Sequence, residues 1–300
     1  MASLIVEDIK QKFKSDNPVT RLIVINVAVF FVISLLRILI FVSGESSVFT
    51  EITAFFIQNS SFPISWQGLL LKPWTLITYA FTHIEVFHIF WNMITLYWFG
   101  QLFINYTSKT KLIPLYILGG VAGALFSLLV IQTIPGLHIY IGSPMVGASA
   151  GVTAIIVAAA TLMPNFRMNL MFIGEVKLIY VALFSILIDV LNVASYSNVG
   201  GNLAHLGGAL MGYLFIVQYK KGNDLAKPIV SFFNWVSGLF NRSAKMKVVH
   251  KKKPLSDEEY NHKRAATQQQ IDLILDKISK SGYESLSKSE KEILFKASKK

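Results

Sequence analysis

Six stretches of the chain, near residues 22–43, 80–104, 112–134, 149–163, 178–195 and 202–219, are apolar and carry almost no charge. Runs of this kind have to be hidden from water. A helix needs about 20 apolar residues to cross the roughly 30 Å of bilayer hydrocarbon. In lipid the backbone must also satisfy its own hydrogen bonds, so the expected fold class is an all-α membrane protein: a bundle of six transmembrane helices followed by a helical tail. With 53% hydrophobic and 15% charged residues among 300, the composition is that of an integral membrane protein. Three of the runs are short, and the shortest opens at Ser149. A run too short to span predicts a helix that starts below the surface behind a protein-lined loop. Cysteine is absent, which excludes disulfides and thiolate metal sites. The first twenty residues hold Glu7, Asp8, Lys10, Lys12, Lys14 and Asp16 without an apolar core, so insertion is expected to use the spans rather than a cleavable signal peptide.

Ten Lys or Arg residues precede Lys220. If six spans alternate, Lys10, Lys12, Lys14, Arg21, Lys109, Lys111, Arg167 and Lys177 share one side, Lys72 alone lies in the opposite loop, and Arg37 lies inside the first span. Cytoplasmic loops carry the excess of cations. Both termini and the tail are therefore expected in the cytoplasm, in a multi-pass protein of the cell membrane, the bacterial inner membrane. The same parity puts Ser149, His205, His88 and Asn92 in one leaflet, toward the outer face.

Polar groups at membrane depth cost free energy unless they serve a site. Ser149 sits in Gly147-Ala148-Ser149-Ala150-Gly151. His88 and Asn92 are four apart and project from one helical face. A serine hydrolase needs a nucleophile, a base that takes its proton, and donors aimed at the developing oxyanion. Ser149, His205 and the pair His88/Asn92 would supply these in order, with the Ser149 backbone N–H as a further donor. The alternative use of His88 and Asn92 is interhelical hydrogen bonding, worth about 0.6 kcal/mol on average. Glycines four apart, Gly119 with Gly123 and Gly208 with Gly212, mark seams where helices can approach closely.

Over about residues 20–220 the chain resembles the rhomboid family of intramembrane serine proteases. The matching text is Lys72-Pro73-Trp74-Thr75-Leu76-Ile77-Thr78-Tyr79, then His83, His88-Ile89-Phe90-Trp91-Asn92, Gly147-Ala148-Ser149-Ala150-Gly151 and Ala204-His205-Leu206-Gly207-Gly208. The resemblance, to the bacterial type with a six-span core, implies a Ser-His dyad endopeptidase that works through an acyl-enzyme and needs no cofactor or metal. Ser149 would attack the peptide carbonyl, and His205 would act as general base and then general acid. His88, Asn92 and the Ser149 amide would hold the oxyanion. His83 matches a histidine that organises the site and its water; Gly147 belongs to the serine motif, and Gly208 and Gly212 match glycines that let span six pack on span four. The segment 44–79, with Phe55, Phe56, Phe62 and Trp66 among polar residues, looks like the family's half-embedded first loop. The Trp-Arg pair common in that loop is missing. Where the family often has an aromatic residue stacking on the histidine, this chain has Thr153.

Competing readings rest on identifiable residues. Gly147–Gly151 also spells the nucleophile elbow of α/β-hydrolases, and Ser149, Asp189, His205 follow that Ser, acid, His order, but the flanks are membrane spans rather than a soluble sheet. Asp189 is either a third triad member or an interhelical hydrogen bond, in the latter case with the acid protonated. The zinc-protease spacing H-E-x-x-H is absent around His83-Ile84-Glu85, as is a phosphate loop. A catalytically silent rhomboid-like protein that binds and escorts membrane clients is the second function class, and a small transporter the third; no inverted repeat supports the latter.

The substrates expected of such a protease are transmembrane helices, whose carbonyls are tied up in helical hydrogen bonds. Local unwinding is required first, so Gly, Pro and other weak helix formers near the cut should favour cleavage, as should a small residue on its acyl side. His83, Asn92 and Asn202 are candidates to line the water path. Family similarity makes span five the expected gate.

Beyond Tyr219 the chain holds 18 Lys and Arg against 9 Asp and Glu, nine of the net +11. Ile229, Phe232, Phe233, Val236, Leu239 and Phe240 recur at helical spacing with Trp235 near the seam, which predicts a helix in the headgroup layer starting near Pro228. Lys245, Lys247, Lys251, Lys252 and Lys253 then favour anionic lipid, unless they are a solvated linker. Residues 256–300 read as a helical hairpin with Ile271, Leu273, Ile274, Leu275 and Ile278 on one apolar side, Gly282 as a C-cap and Ser287–Glu290 as a capping box. Its small apolar face predicts docking on the membrane domain or a cytoplasmic partner. Nucleic acid is not an expected partner, since the acids dilute the positive field. The organisation expected is a cytoplasmic segment 1–19, a six-span domain 20–220, a basic juxtamembrane segment with interfacial helix 221–255, and the hairpin 256–300.

Overall fold

The computed structural model describes residues 17–44, 47–170, 174–240 and 257–298. The chain divides into two compact units, 1–239 and 240–300.

In the first unit, α1 (Pro18–Val42) starts where Asn17 Oδ1 accepts the Val19 N–H at 3.0 Å and Pro18, lacking an N–H, fills the first helical position. The connection onward contains α2 (Ser47–Ser60), a two-residue strand β1 (Phe62–Pro63), α3 (Trp66–Leu71) and α4 (Thr75–Thr78), continued by a 3₁₀ turn at Tyr79–Phe81. Then follow α5 (Val86–Tyr106), α6 (Lys109–Thr133), strand β2 (Pro144–Met145), α7 (Ser149–Leu162), strands β3 (Arg167–Leu170) and β4 (Gly174–Lys177), α8 (Leu178–Ala194), α9 (Val199–Lys220) and α10 (Lys227–Phe240). By length and composition α1, α6 and α9 can each cross a membrane, while α7 and α8 are shorter apolar helices. Large side chains such as Phe31, Phe41, Phe87 and Phe184 stand exposed on the bundle's outside. Water would not tolerate that much apolar surface, and lipid does.

α7 lies in the middle, packed on α9, α6, α5 and, more lightly, α8. Small residues allow this. A methyl group at Gly208 would run into the Ala150 carbonyl oxygen, and one at Gly212 into that of Ala154; one at Gly123 would stand 2.5 Å from Ala204 O. Gly119 likewise faces Gly151 and Ala154. The glycine seams are thus places where backbones touch, and van der Waals contact replaces the hydrophobic drive that lipid removes.

Four expectations need correction. The chain is not purely helical: β1 pairs with β2 (Phe62↔Met145) and β3 with β4 (Arg167↔Lys177), strands too short for hydrophobic periodicity to register. The apolar run from 80 becomes α-helix only at Val86, because hydropathy alone does not separate a buried coil from a helix. Phe62 is fully buried against Tyr79, ring centroids 6.0 Å apart, rather than at an interface. Asn202 is buried, donating to Ser197 O at 2.6 Å and Asn198 O at 3.0 Å, so it ties the α8–α9 turn instead of lining a water path. The missing Trp-Arg pair is replaced by Trp74 Nε1–H donating to Asn59 O at 2.9 Å, Lys72 Nζ to Gln58 O at 3.2 Å and Thr78 Oγ1 to Ser60 O at 3.0 Å.

The second unit pairs α11 (Asp257–Ser281) with α12 (Lys288–Ser298) across a 3₁₀ turn at Tyr283–Ser285. Gly282 takes φ +75° and returns its N–H to Ile278 O at 2.8 Å, as a C-terminal glycine does. Ser287 and Glu290 form the reciprocal capping box, at 3.3 and 2.7 Å. Lys277 and the Ser287 amide hold the Glu290 carboxyl down at about 2. Ile274 is buried, whereas Leu273 and Leu275 are exposed, because at 100° per residue neighbours of 274 turn away from the face shared by Ile271, Ile274 and Ile278. In α10, Phe232 and Trp235 present exposed rings. The Lys245–Lys253 cluster lies outside the described residues.

Candidate active site

The segment that carries Ser149 is clamped before the helix begins. Gly147 donates its N–H to Tyr79 O at 2.9 Å, and the Ala148 N–H donates to His83 Nε2 at 3.3 Å. Tyr79 is itself anchored, its hydroxyl donating to Gly120 O at 2.6 Å in α6. The neighbouring Tyr116 hydroxyl donates to Ala80 O, and Asn26 of α1 donates to Tyr116 at 3.3 Å. Gly147 has φ +124°, and a Cβ there would stand 2.6 Å from His88 Cε1. Only glycine meets both conditions.

Ser149 is the first residue of α7, so its amide N–H has no carbonyl one turn back; the first intrahelical bond is Val152 N–H to Ala148 O at 3.0 Å. Helix α7 has 14 residues and a length of about 21 Å, some 9 Å less than the thickness of a hydrocarbon layer.

Ser149, His205, His88 and Asn92 line one cavity of about 880 Å³, and Thr153 and Tyr140 also face it. His88 stands in the first turn of α5 and Asn92 one turn on. Asn92 Nδ2 donates to His88 O at 2.9 Å, which leaves a second donor hydrogen on that nitrogen. Ser149 and His205 make no hydrogen bond to each other among the described residues, a common state in sites without substrate. His83 is fully buried and does not line the cavity; its ring meets His88 edge-on at 5.1 Å, so it braces the site instead of wetting it. Its Nδ1 is buried without a protein partner. His205 Nδ1 lies 2.7 Å from Asp189 Oδ1 of α8. The mutual bracing of Tyr79, His83 and Gly147 was hidden in the sequence, where residues 72–79 read only as matching text. Among the described residues no three His, Asp or Glu side chains converge as a metal site would.

The far end of the bundle has its own fastening. Lys220 donates to Thr161 O at 2.9 Å, capping α7, and Lys111 of α6 pairs with Asp224 at 2.8 Å while standing 4.9 Å over the Tyr219 ring. The Lys111 ammonium, through its hydrogen bond, holds the Asp224 carboxyl below its usual value.

Residues 256–300 match a family of unknown function, DUF6576. Two relatives match the membrane part. The chain is 34% identical over 158 residues to a RHOMBOID-like protein 12, mitochondrial, of Arabidopsis thaliana, covering 49% of this chain and 47% of that protein. It is 25% identical over 161 residues to the Presenilin-associated rhomboid-like protein A, mitochondrial, of Danio rerio, covering 52% and 40%. The chain thus spans about half the length of the relatives it matches. Residues 71–221, which include every residue of the cavity named above, match the Rhomboid domain. A cavity that holds serine, histidine and asparagine side chains inside an apolar helical bundle, and this match, lead to one conclusion: the chain is a membrane protein of the rhomboid family.

Proposed function

We propose that the protein is an intramembrane serine endopeptidase that cleaves transmembrane helices through an acyl-enzyme. The observation that carries this is the convergence on one cavity of Ser149, at the uncapped start of α7, with His205, His88 and Asn92. In the reaction the Ser149 hydroxyl gives its proton to His205 Nε2 as Oγ bonds to the scissile carbonyl carbon. The carbonyl oxygen gains the negative charge and is met by the Ser149 N–H, the spare Asn92 N–H and His88. His205 then protonates the leaving amine as the C–N bond breaks. Water activated by the same ring releases the acyl group. Donors already fixed by a helix start and a clamped loop need no reorganisation, which is where such sites gain most of their rate.

The six spans proposed to alternate across the bilayer are α1, α5, α6, α7, α8 and α9. Lys111 pairs with Asp224 and stands over Tyr219, next to the Lys220 that caps the end of α7 away from Ser149, and Arg167 and Lys177 follow that end of α7; with Arg21 and Lys109 on the same side by alternation, this supports both termini on the cytoplasmic side and a site opening outward. The relatives are mitochondrial by name and lend no support to the bacterial inner membrane, so orientation alone is proposed. The domain division proposed is the six-span domain 20–220, the juxtamembrane segment 221–255, with α10 on lipid headgroups, and the hairpin 256–300 reserved for a partner.

The test is cleavage of a reporter transmembrane helix in proteoliposomes. Wild type should cut it, and Ser149→Ala and His205→Ala should not. Binding without cleavage by wild type would favour the silent escort reading. Across a reporter panel, Gly or Pro near the cut should raise the rate; a panel indifferent to helix-breaking residues would contradict the unwinding step.

A further inference from the structure

The α8–α9 hairpin is built so that two polar residues meet at equal depth. Asp189 lies five residues before the end of α8, and His205 six residues after the start of α9. At 1.5 Å per residue both sit roughly 8 Å from the turn. Asp189 is the one acid of α8, and its side chain is buried on the face shared with Ala182, while Phe184, Leu187 and Leu191 point outward. Its Oδ1 and His205 Nδ1 are 2.7 Å apart. Thr153, which lines the same cavity as His205, is small and has no aromatic face to offer the ring.

We infer that Asp189 is the positioning residue for His205: as a carboxylate it accepts the Nδ1–H, fixing the ring's rotation and leaving the Nε2 lone pair free to take the Ser149 proton. The inference rests on the reading of Ser149 and His205 as nucleophile and base. A carboxylate has no hydrogen to donate, so the proton of the contact must be on Nδ1. The protonated acid would reverse this, donating to Nδ1 and putting the ring's hydrogen on Nε2, where it cannot accept from serine. The two states of one hydrogen bond therefore have opposite consequences for catalysis. As the Ser149 proton arrives, the imidazolium forms against an existing negative charge; Asp189 keeps its charge and takes no proton. An acid in a lipid-exposed helix is retained at a cost, and this gives it an occupation. The order Ser149, Asp189, His205 then matches that of α/β-hydrolases, on a helical scaffold.

The experiment compares wild type, Asp189→Asn, Asp189→Glu, Ser149→Ala and His205→Ala in proteoliposomes, with melting temperature as the check on folding. Asn keeps a hydrogen bond across the helices, so a merely structural role would tolerate it. Asp189→Asn should instead lower kcat by about 10²- to 10⁴-fold with KM little changed, and Asp189→Glu should recover part of the loss. Wild-type turnover by Asp189→Asn, with Ser149→Ala and His205→Ala silent, overturns the inference and leaves the protease reading standing. Cleavage by Ser149→Ala overturns both. Nitrogen-15 NMR of the wild-type protein, with His205 assigned by its loss in His205→Ala, keeps the test open if the two Asp189 variants do not fold. A hydrogen on Nδ1 is expected, and one on Nε2 alone refutes the assignment.

Discussion

Helices α7 and α8 are both short and apolar, yet they are held in opposite ways. Eleven of the 14 residues of α7, the unbroken run Ala150–Ala160, are buried, and they are mostly Ala, Gly, Val and Ile. In α8 only Leu178, Ala182 and Asp189 of 17 are buried, and the rest includes bulky residues turned outward. Ser149, the proposed nucleophile, thus begins a helix whose backbone touches its neighbours directly. Asp189, in contact with the proposed base His205, sits on a helix that rests mainly on α9. Close packing is concentrated around Ser149, and the more open packing of α8 lies beside His205.

The widest separation of the two helices should come from matched substitutions. Gly208→Val drives a side chain into the Ala150 carbonyl and should cost about 3 kcal/mol or prevent folding. Leu187→Ala on the exposed face of α8, 52% accessible, should change stability by less than about 0.5 kcal/mol. Thermal unfolding in mild detergent measures both, and equal losses would break the contrast. Gly147→Ala comes next. It combines a positive φ with a contact on the His88 ring, and should cost about 1–3 kcal/mol of strain and about 10²-fold in kcat, read from reporter cleavage.

The smallest effect belongs to the end far from the site. Asp224→Asn removes the Lys111 pair and should cost under about 1 kcal/mol at pH 7. Because the Asp224 carboxyl titrates lower in the folded protein than its usual 3.8, its contribution is complete above 3.8 and is lost as pH falls through the folded value. The wild type's advantage in melting temperature should therefore be flat from pH 7 down to that range and shrink below it. An advantage that grew on acidification would reverse the sign.

How much of this was readable beforehand varied with the physics. The helical runs were legible because lipid requires long apolar stretches, and Ser149, His205, His88 and Asn92 because polar residues in such stretches are conspicuous. Gly208 and Gly212 were visible by spacing, but not that they meet Ala150 and Ala154. The roles of Tyr79 and His83 in clamping 147–148 depend on contacts 65 or more residues apart, which no local pattern encodes. Asp189 stands out in the sequence as a lone acid with two uses open to it, and only the register of the α8–α9 hairpin brings it to Nδ1. In the hairpin of the second unit, counting apolar residues overstated the face, since Leu273 and Leu275 are turned outward by helical geometry alone.

The most direct test of the account is to react the purified protein with a fluorophosphonate probe and map the adduct by peptide mass spectrometry. A single adduct on Ser149 that vanishes in both Ser149→Ala and His205→Ala is the expected result. Equal labelling of all three proteins, or an adduct on another serine, would contradict the assignment of Ser149 as a nucleophile activated by His205.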